Sequence, residues 1–426
     1  VPAPKEIRPD YLAAARAAAR WIATREFERR WPSQSIEPLQ NQVDLYYGNA
    51  GTILFFRELA ESTGEQSYQE VAVRGAGYIS SHIEQVRDSG LYRGLAGIIW
   101  AIDRIIGTSR ASFLLPSLSR AIDRLQADAK QYEAGVSWNE SNDLFSGTAG
   151  IGLTLIHLAR QTGRTKLLEL ARRAGDHLLA LAHKPGKGIY WTISAGRSTE
   201  YPNFSHGSAG IGYFLAELYA ATNDERYRVG ALAAGNYLQS IISQAESSKY
   251  LVFHDDAGGC DLFYLGWCHG PAGTGRFFYR LYQLTGELDW LNLVRKQATT
   301  LMSSGTPERQ TPGYWNNVSR CCGAAGVGEF FLGLHTATRE SSYLAFAERV
   351  AAYLIARAET DATGMKWTQA ERRVEPDNIV AQTGLMQGAA GVGLFLVHLD
   401  QVSRGQNPLI RFPDEPLWIK APSTAY

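Results

Sequence analysis

The sequence predicts an all-α fold, an α/α toroid (barrel) of seven helical hairpins with an inner and an outer ring of helices. Three observations carry this prediction. A G-x-x-G segment recurs seven times, an apolar helical run follows each copy, and a more charged helical run lies between copies. The copies begin at Gly48, Gly94, Gly147, Gly207, Gly270, Gly323 and Gly388, at intervals of 46, 53, 60, 63, 53 and 65 residues. A mean interval of about 57 residues holds two helices of roughly 15–20 residues with their loops. A third glycine follows in the last five copies, as in GTAGIG and GPAGTG, but not in the first two, GNAGTI and GLAGII.

The runs after the glycines include ILFFRELAE, IGLTLIHLARQTG, IGYFLAELYAATN, TGRFFYRLYQLTG and VGEFFLGLHTATR. Apolar residues recur in them at i, i+3, i+4 and i+7, and several end at a Gly or Asn suited to a C-cap. The intervening runs, such as LLELARRAGDHLLALAH, VGALAAGNYLQSIISQ and AFAERVAAYLIARAE, are amphipathic. A nearly apolar helix paired with an amphipathic one is the pattern of a buried inner ring inside an outer one. Strand signals are sparse and fall in connections, near residue 190 (GIYWTIS) and near residue 250 (YLVFHDD). A length of 426 residues would ordinarily divide into two or three domains. Seven copies of one hairpin instead predict a single domain over 1–426, with extensions at about 1–10 and about 405–426.

Composition narrows the function. Lys+Arg and Asp+Glu both number 42, and without a basic patch this balance argues against a nucleic-acid partner. No apolar run reaches the roughly 18–20 residues of a membrane span. The four cysteines are too few for a disulfide framework, and two are adjacent, which favours metal binding or catalysis. The first residue is Val, so a tag, a signal peptide or a preceding domain is expected upstream; the cytoplasm is the expected compartment, with a secreted or periplasmic location left open.

Glycines at the start of each inner helix allow the seven loops to converge at one pole, toward which seven helix N-termini point their positive ends. The residues just before the first glycines are Tyr47, Arg93, Ser146, His206, His269, Cys322 and Gln387, every one polar or ionisable. Ser146 and Gln387 also suit plain loop capping. Cys268 (GWCHG) and the pair Cys321–Cys322 (RCCG) stand at corresponding points of consecutive copies. Three thiolates with a fourth position open would make a zinc site. A Cys260–Cys268 disulfide, a vicinal disulfide or buried thiols are the alternatives. Cys260, in GGCDL, lies off the repeat position and reads as a bystander, and His269 could be a ligand or face the substrate.

A W-C-x-G motif followed about fifty residues later by C-[CH]-G, within seven G-x-x-G hairpins, resembles the lanthionine synthetase C-like family across essentially the whole chain. The resemblance implies a zinc enzyme with an α/α toroid fold, acting in lanthipeptide and antibiotic biosynthesis. Such a cyclase adds peptide cysteine thiols to dehydroalanine or dehydrobutyrine and closes (methyl)lanthionine thioether rings. Eukaryotic relatives add glutathione to such electrophiles. The resemblance makes Cys268, Cys321 and Cys322 the Zn2+ ligands, His206 of NFSHG the acid/base residue and Asp143 of NDLFSG its acidic partner. Many members carry an Arg four residues before the first zinc cysteine; here that position is Tyr264, so His269 or Arg93 is the expected donor to the enolate.

The expected partners are a dehydrated precursor peptide and a separate dehydratase, since no kinase or lyase signature accompanies the repeats. Two other readings stand beside this one. A glutathione- or thiol-conjugating protein or zinc-bearing scaffold would share the cysteines. A glycan-active toroid enzyme would use carboxylates such as Asp143 and Asp44, and would leave the cysteines unexplained.

Overall fold

A computed structural model of the protein describes residues 9–33, 42–107, 109–186, 188–194, 199–242, 263–309, 314–315, 317–372 and 375–418. Cys260 and the YLVFHDD stretch lie outside the described residues. In chain order the helices are α1 (Tyr11–Ala23), α2 (Asn49–Thr63), α3 (Gln66–His82), α4 (Leu95–Ile106), α5 (Leu115–Ala127), α6 (Thr148–Thr162) and α7 (Thr165–Ala180). They continue as α8 (Ser208–Thr222), α9 (Glu225–Ile241), α10 (Pro271–Thr285), α11 (Leu288–Ser303), α12 (Ala324–Thr338), α13 (Ser341–Arg357) and α14 (Ala389–Ser403).

The even-numbered helices are the apolar runs, and each begins immediately after the first glycine of its copy. They pack side by side in sequence order, and α14 packs against α2, which closes an inner ring of seven. Each odd-numbered helix from α3 to α13 lies on the inner helix before it, while α1 lies on α14. The seventh pair therefore joins the two ends of the chain, so α1 is part of the ring. Strand content among the described residues is limited to short two-stranded pairs. The GIYWTIS stretch contributes only isolated bridges, such as His183 with Tyr190.

The third glycine of the repeat has a steric cause. A Cβ on Gly212, Gly275 or Gly393 would stand 2.5–2.8 Å from the ring of Phe277, Phe330 or Phe55, each on the next inner helix around the ring. Gly152 and Gly328 face Phe214 and Phe395 in the same way. The first two copies carry Ile53 and Ile99 at this position, and the copies that follow them carry the small residues Ala101 and Thr154 where the others carry Phe. Bulk is thus exchanged between corresponding positions of neighbouring inner helices, so that a large residue in one is met by a small one in its neighbour.

The segment 405–418, expected as an extension, folds back along the inner helices. Phe412 stacks on Trp100 with centroids 4.9 Å apart, and Tyr213 Oη donates to the Pro413 carbonyl at 3.2 Å. Gln283 donates to the Pro416 carbonyl at 3.2 Å, and the Ile410 amide donates to Glu58. The segment also completes a buried charge network. Arg320 lies 2.6 Å from both Glu329 and Glu415, and His398 Nδ1 lies 2.9 Å from Glu329. Burial pushes the His398 imidazole down, but Glu329 and Glu58 outweigh it and raise the pKa to about 9. Burial likewise pushes Glu329 up, and Arg320 and His398 outweigh it, leaving about 2.

Two outcomes follow from this packing. Gly393→Ala should destabilise the ring by about 1–3 kcal/mol through overpacking, and Phe55→Leu in the same chain should recover part of that loss; urea unfolding of the two variants and their combination measures the coupling. For the buried histidine the folded pKa is raised, so its contribution is complete below its ordinary value of 6.5 and is lost as pH rises through about 9. The Glu329 contribution is complete above its ordinary 4.5 and is lost as pH falls toward about 2. Melting temperature should therefore fall between pH 6.5 and 9 in the native chain, and this alkaline slope should flatten in His398→Gln.

Candidate active site

The seven loops before the inner helices are bound into a closed ring by backbone hydrogen bonds. Tyr46 N–H donates to the Tyr92 carbonyl (3.0 Å), Tyr92 to Phe145 (2.8 Å), Phe145 to Ser205 (3.0 Å) and Ser205 to Cys268 (3.0 Å). Cys268 then donates to Cys321 (3.1 Å), Cys321 to Met386 (2.9 Å) and Met386 back to Tyr46 (3.0 Å). All seven residues stand two positions before the first glycine of their copy. The second glycine makes room for each loop: a Cβ on Gly273 or Gly326 would collide with the carbonyl of Trp267 or Arg320, which lies against the first helical turn.

Because Cys268 and Cys321 are consecutive members of this ring, their side chains meet. Cys268 Sγ lies 3.2 Å from Cys322 Sγ, and Cys322 Sγ lies 3.6 Å from Cys321 Sγ. All three sulfurs fall within 4.8 Å of one another, and all three cysteines are free thiols rather than disulfides. Burial pushes the Cys268 and Cys321 thiols well above their usual range. Hydrogen bonds from Cys268 and Cys321 hold Cys322 well below it, against the effect of burial. A soft, all-sulfur donor set of this spacing suits a thiophilic ion such as zinc.

His206 approaches from the neighbouring loop. Its Nδ1 lies 2.7 Å from Asp143 Oδ2, and Asp143 Oδ1 accepts the Ser146 and Gly147 amides, each at 2.8 Å. One carboxylate oxygen thus fixes the loop and the other fixes the imidazole through Nδ1, which leaves Nε2 as the ring nitrogen the carboxylate does not hold. His206 also bears electrostatically on Cys322. The His269 ring is 5.7 Å from His206 and 4.9 Å from Tyr264, which is buried.

Arg93 is placed differently. Its Nε lies 3.1 Å from Asp44 Oδ2, and its guanidinium sits over the Tyr47 ring at 5.2 Å. Asp44 Oδ1 accepts the Tyr47 and Gly48 amides at 2.7 and 3.0 Å, so Asp44 with Arg93 repeats the construction of Asp143 with His206 two copies earlier. Burial raises the Asp44 carboxyl to about 7, outweighing the backbone donors and Arg93. Tyr47 hydrogen-bonds Glu371. Six of the seven residues before the glycines are partly exposed at this pole; Gln387 is buried.

Two further groups adjoin the sulfurs: Tyr46, which was not a sequence candidate, and Gln387, one of the seven residues before the glycines. Tyr46 is engaged with Cys321, and Gln387 with Cys322 as well as Tyr46. The signal for Tyr46 is its place two residues before the glycine, the place held by Cys268 and Cys321. The refolded C-terminal segment supports the cysteine motifs from behind. Asp414 Oδ2 accepts from Trp267 Nε1 at 3.0 Å and from Tyr92 Oη at 2.9 Å, while Glu415 holds Arg320. Trp267 and Arg320 are the residues immediately before Cys268 and Cys321.

A family model described as lanthionine synthetase C-like protein matches residues 40–409. Among solved structures, the nisin cyclase superposes with a TM-score of 0.66 at 16% identity, covering 95% of this chain and 96% of that one. An α-1,6-mannanase from Salegentibacter sp. gives 0.50 at 14% identity, covering 91% and 98%. A sugar epimerase from a ruminal bacterium gives 0.51 at 15% identity, covering 74% and 87%. At these identities the likeness is one of fold, the α/α toroid.

Asp414→Ala strips the acceptor from two buried donors and should cost about 2–4 kcal/mol in urea unfolding. Asp414→Asn, which keeps a carbonyl oxygen there, should cost less.

Proposed function

This chain belongs to the lanthionine synthetase C-like family, and we propose that it is a zinc-dependent lanthipeptide cyclase. The observation that carries the reading is the convergence of three thiols beside a carboxylate-held histidine at one mouth of the toroid. Cys268, Cys321 and Cys322 would hold zinc. Bound there, the ion would supply the Lewis acidity that keeps an incoming cysteine as its nucleophilic thiolate at neutral pH.

The reaction adds S–H across a carbon–carbon double bond. The thiolate attacks the β-carbon of a dehydroalanine or dehydrobutyrine, the C–S bond forms, and the electron pair moves onto the adjacent amide oxygen as an enolate. His269, beside His206, is proposed as the hydrogen-bond donor to that oxygen, in place of the arginine that Tyr264 replaces. His206, oriented through Nδ1 by Asp143, is proposed to take up the proton that the incoming thiol loses and to deliver a proton from Nε2 to the α-carbon. Arg93, held by Asp44 on the first two loops, is proposed to meet a carbonyl of the bound peptide. Dehydration is an elimination of different chemistry, so a dehydratase must prepare the substrate before it arrives.

The likeness to a mannanase favours no glycan reading, because three converging sulfurs have no part in glycoside hydrolysis and both Asp143 and Asp44 are tied to backbone amides and a neighbouring side chain. Incubation of the zinc-loaded protein with a dehydrated, cysteine-containing peptide should leave the peptide mass unchanged while its alkylatable thiols disappear. A mass increase with added glutathione would instead identify a conjugating enzyme, and no thiol loss with any such peptide would leave a zinc scaffold. His206→Ala and Asp143→Asn should retain zinc and slow ring closure about 100-fold or more; normal cyclisation by His206→Ala would remove that histidine from the mechanism.

A further inference from the structure

The buried side chains beside the sulfurs form a hydrogen-bond chain whose direction is fixed from its far end. The Val318 amide, which can only donate, gives its proton to Gln369 Oε1 at 3.0 Å. That sets the amide orientation of Gln369, whose Nε2 faces the Gln387 carbonyl at 2.6 Å, a group that can only accept, and Gln387 Oε1 at 3.1 Å. With its oxygen thus occupied, Gln387 presents Nε2 to the Tyr46 hydroxyl oxygen at 2.7 Å. The Tyr46 oxygen is then an acceptor from Gln387, so its own proton points away from Gln387, and Cys321, two steps away in the backbone ring, bears on it electrostatically. With one Nε2 proton on Tyr46, the second Nε2 proton of Gln387 remains for the adjoining Cys322, on which Gln387 bears electrostatically.

Position in the fold holds these groups together. Tyr46, Cys321 and Met386, the residue before Gln387, are consecutive members of the backbone ring, so the three loops are locked in register. Gln369, Gln387 and Tyr46 are 6%, 3% and 7% exposed, which keeps water from competing for these hydrogen bonds.

We infer that Gln369, Gln387 and Tyr46 form a one-way donor relay that delivers one hydrogen bond to the Cys321 thiolate and one to the Cys322 thiolate, positioning both as metal ligands and moderating their charge. The inference rests on the zinc reading above. Three thiolates on one divalent ion carry an excess negative charge, and donors to sulfur draw part of it away while fixing the direction of each sulfur lone pair. Tyr46 and Gln387 are positioning residues, since each acts through a cysteine.

Cobalt(II) substitution tests this apart from peptide chemistry, through chelator competition and the sulfur-to-metal charge-transfer absorption. Tyr46→Phe, which removes the hydroxyl and keeps the ring, should weaken cobalt binding about tenfold and move the charge-transfer band to longer wavelength, with an unchanged helical circular dichroism spectrum. Gln387→Met should act in the same direction, and Tyr46→Phe should have a smaller effect in that background than alone. Native affinity and an unshifted band in Tyr46→Phe would overturn the relay, as would strictly additive effects of the two changes. A native protein that takes up no cobalt would overturn the metal centre and the relay together. Coupled cobalt effects in a protein that closes no peptide ring would uphold the relay and reject only the cyclase reading.

Discussion

The closed circle of seven backbone hydrogen bonds at the mouth of the toroid is the constraint on which the rest of the molecule depends. Each loop gives one amide and one carbonyl at the same position of its copy, so no loop can shift without breaking two bonds with its neighbours. The circle makes distant residues adjacent. Cys268 and Cys321 are 53 positions apart in the chain but bonded partners in the circle. His206 follows Ser205, which donates to Cys268, and Asp143 precedes Phe145, which donates to Ser205. The metal-binding candidates, the histidine and its carboxylate therefore occupy four successive loops.

Two kinds of packing hold that circle in shape. Around the inner ring, glycine on one helix receives phenylalanine from the next, and the Gly393–Phe55 contact carries this across the junction between the last and first copies. Along the interior, the C-terminal segment supplies Asp414 and Glu415, which hold the residues before the two cysteine motifs. Burying so many charges would ordinarily destabilise a core, and the network is tolerable because Arg320, Glu329, His398 and Glu415 are paired with opposite charge. This segment thereby supports cysteine motifs that lie 147 and 95 residues earlier in the sequence.

Much of this was legible in the residues, for identifiable reasons. The inner helices follow from the spacing of the glycines, and the convergence of Cys268, Cys321 and Cys322 follows from their shared register in consecutive copies. His206 and Asp143 were accessible through the resemblance, although the split use of the Asp143 carboxylate arises only from the three-dimensional arrangement of the loops. Other features left little trace. Pairing of α1 with α14 is a long-range closure without a local pattern, and the segment 405–418 is too short and irregular to show periodicity. Tyr46 was hidden because attention to the residue directly before each glycine passes over the one before it. Gln369 lies in a connection outside the repeat, and its role arises only from the direction of hydrogen bonds.

The proposed centre makes one demand above all others, that a single zinc ion is held by three sulfurs. X-ray absorption at the zinc edge of the purified, zinc-loaded protein measures this most directly. The account predicts three sulfur scatterers at about 2.3 Å and one lighter oxygen or nitrogen neighbour at about 2.0–2.1 Å. A first shell without sulfur, or four sulfurs leaving no position for a substrate thiol, would contradict it.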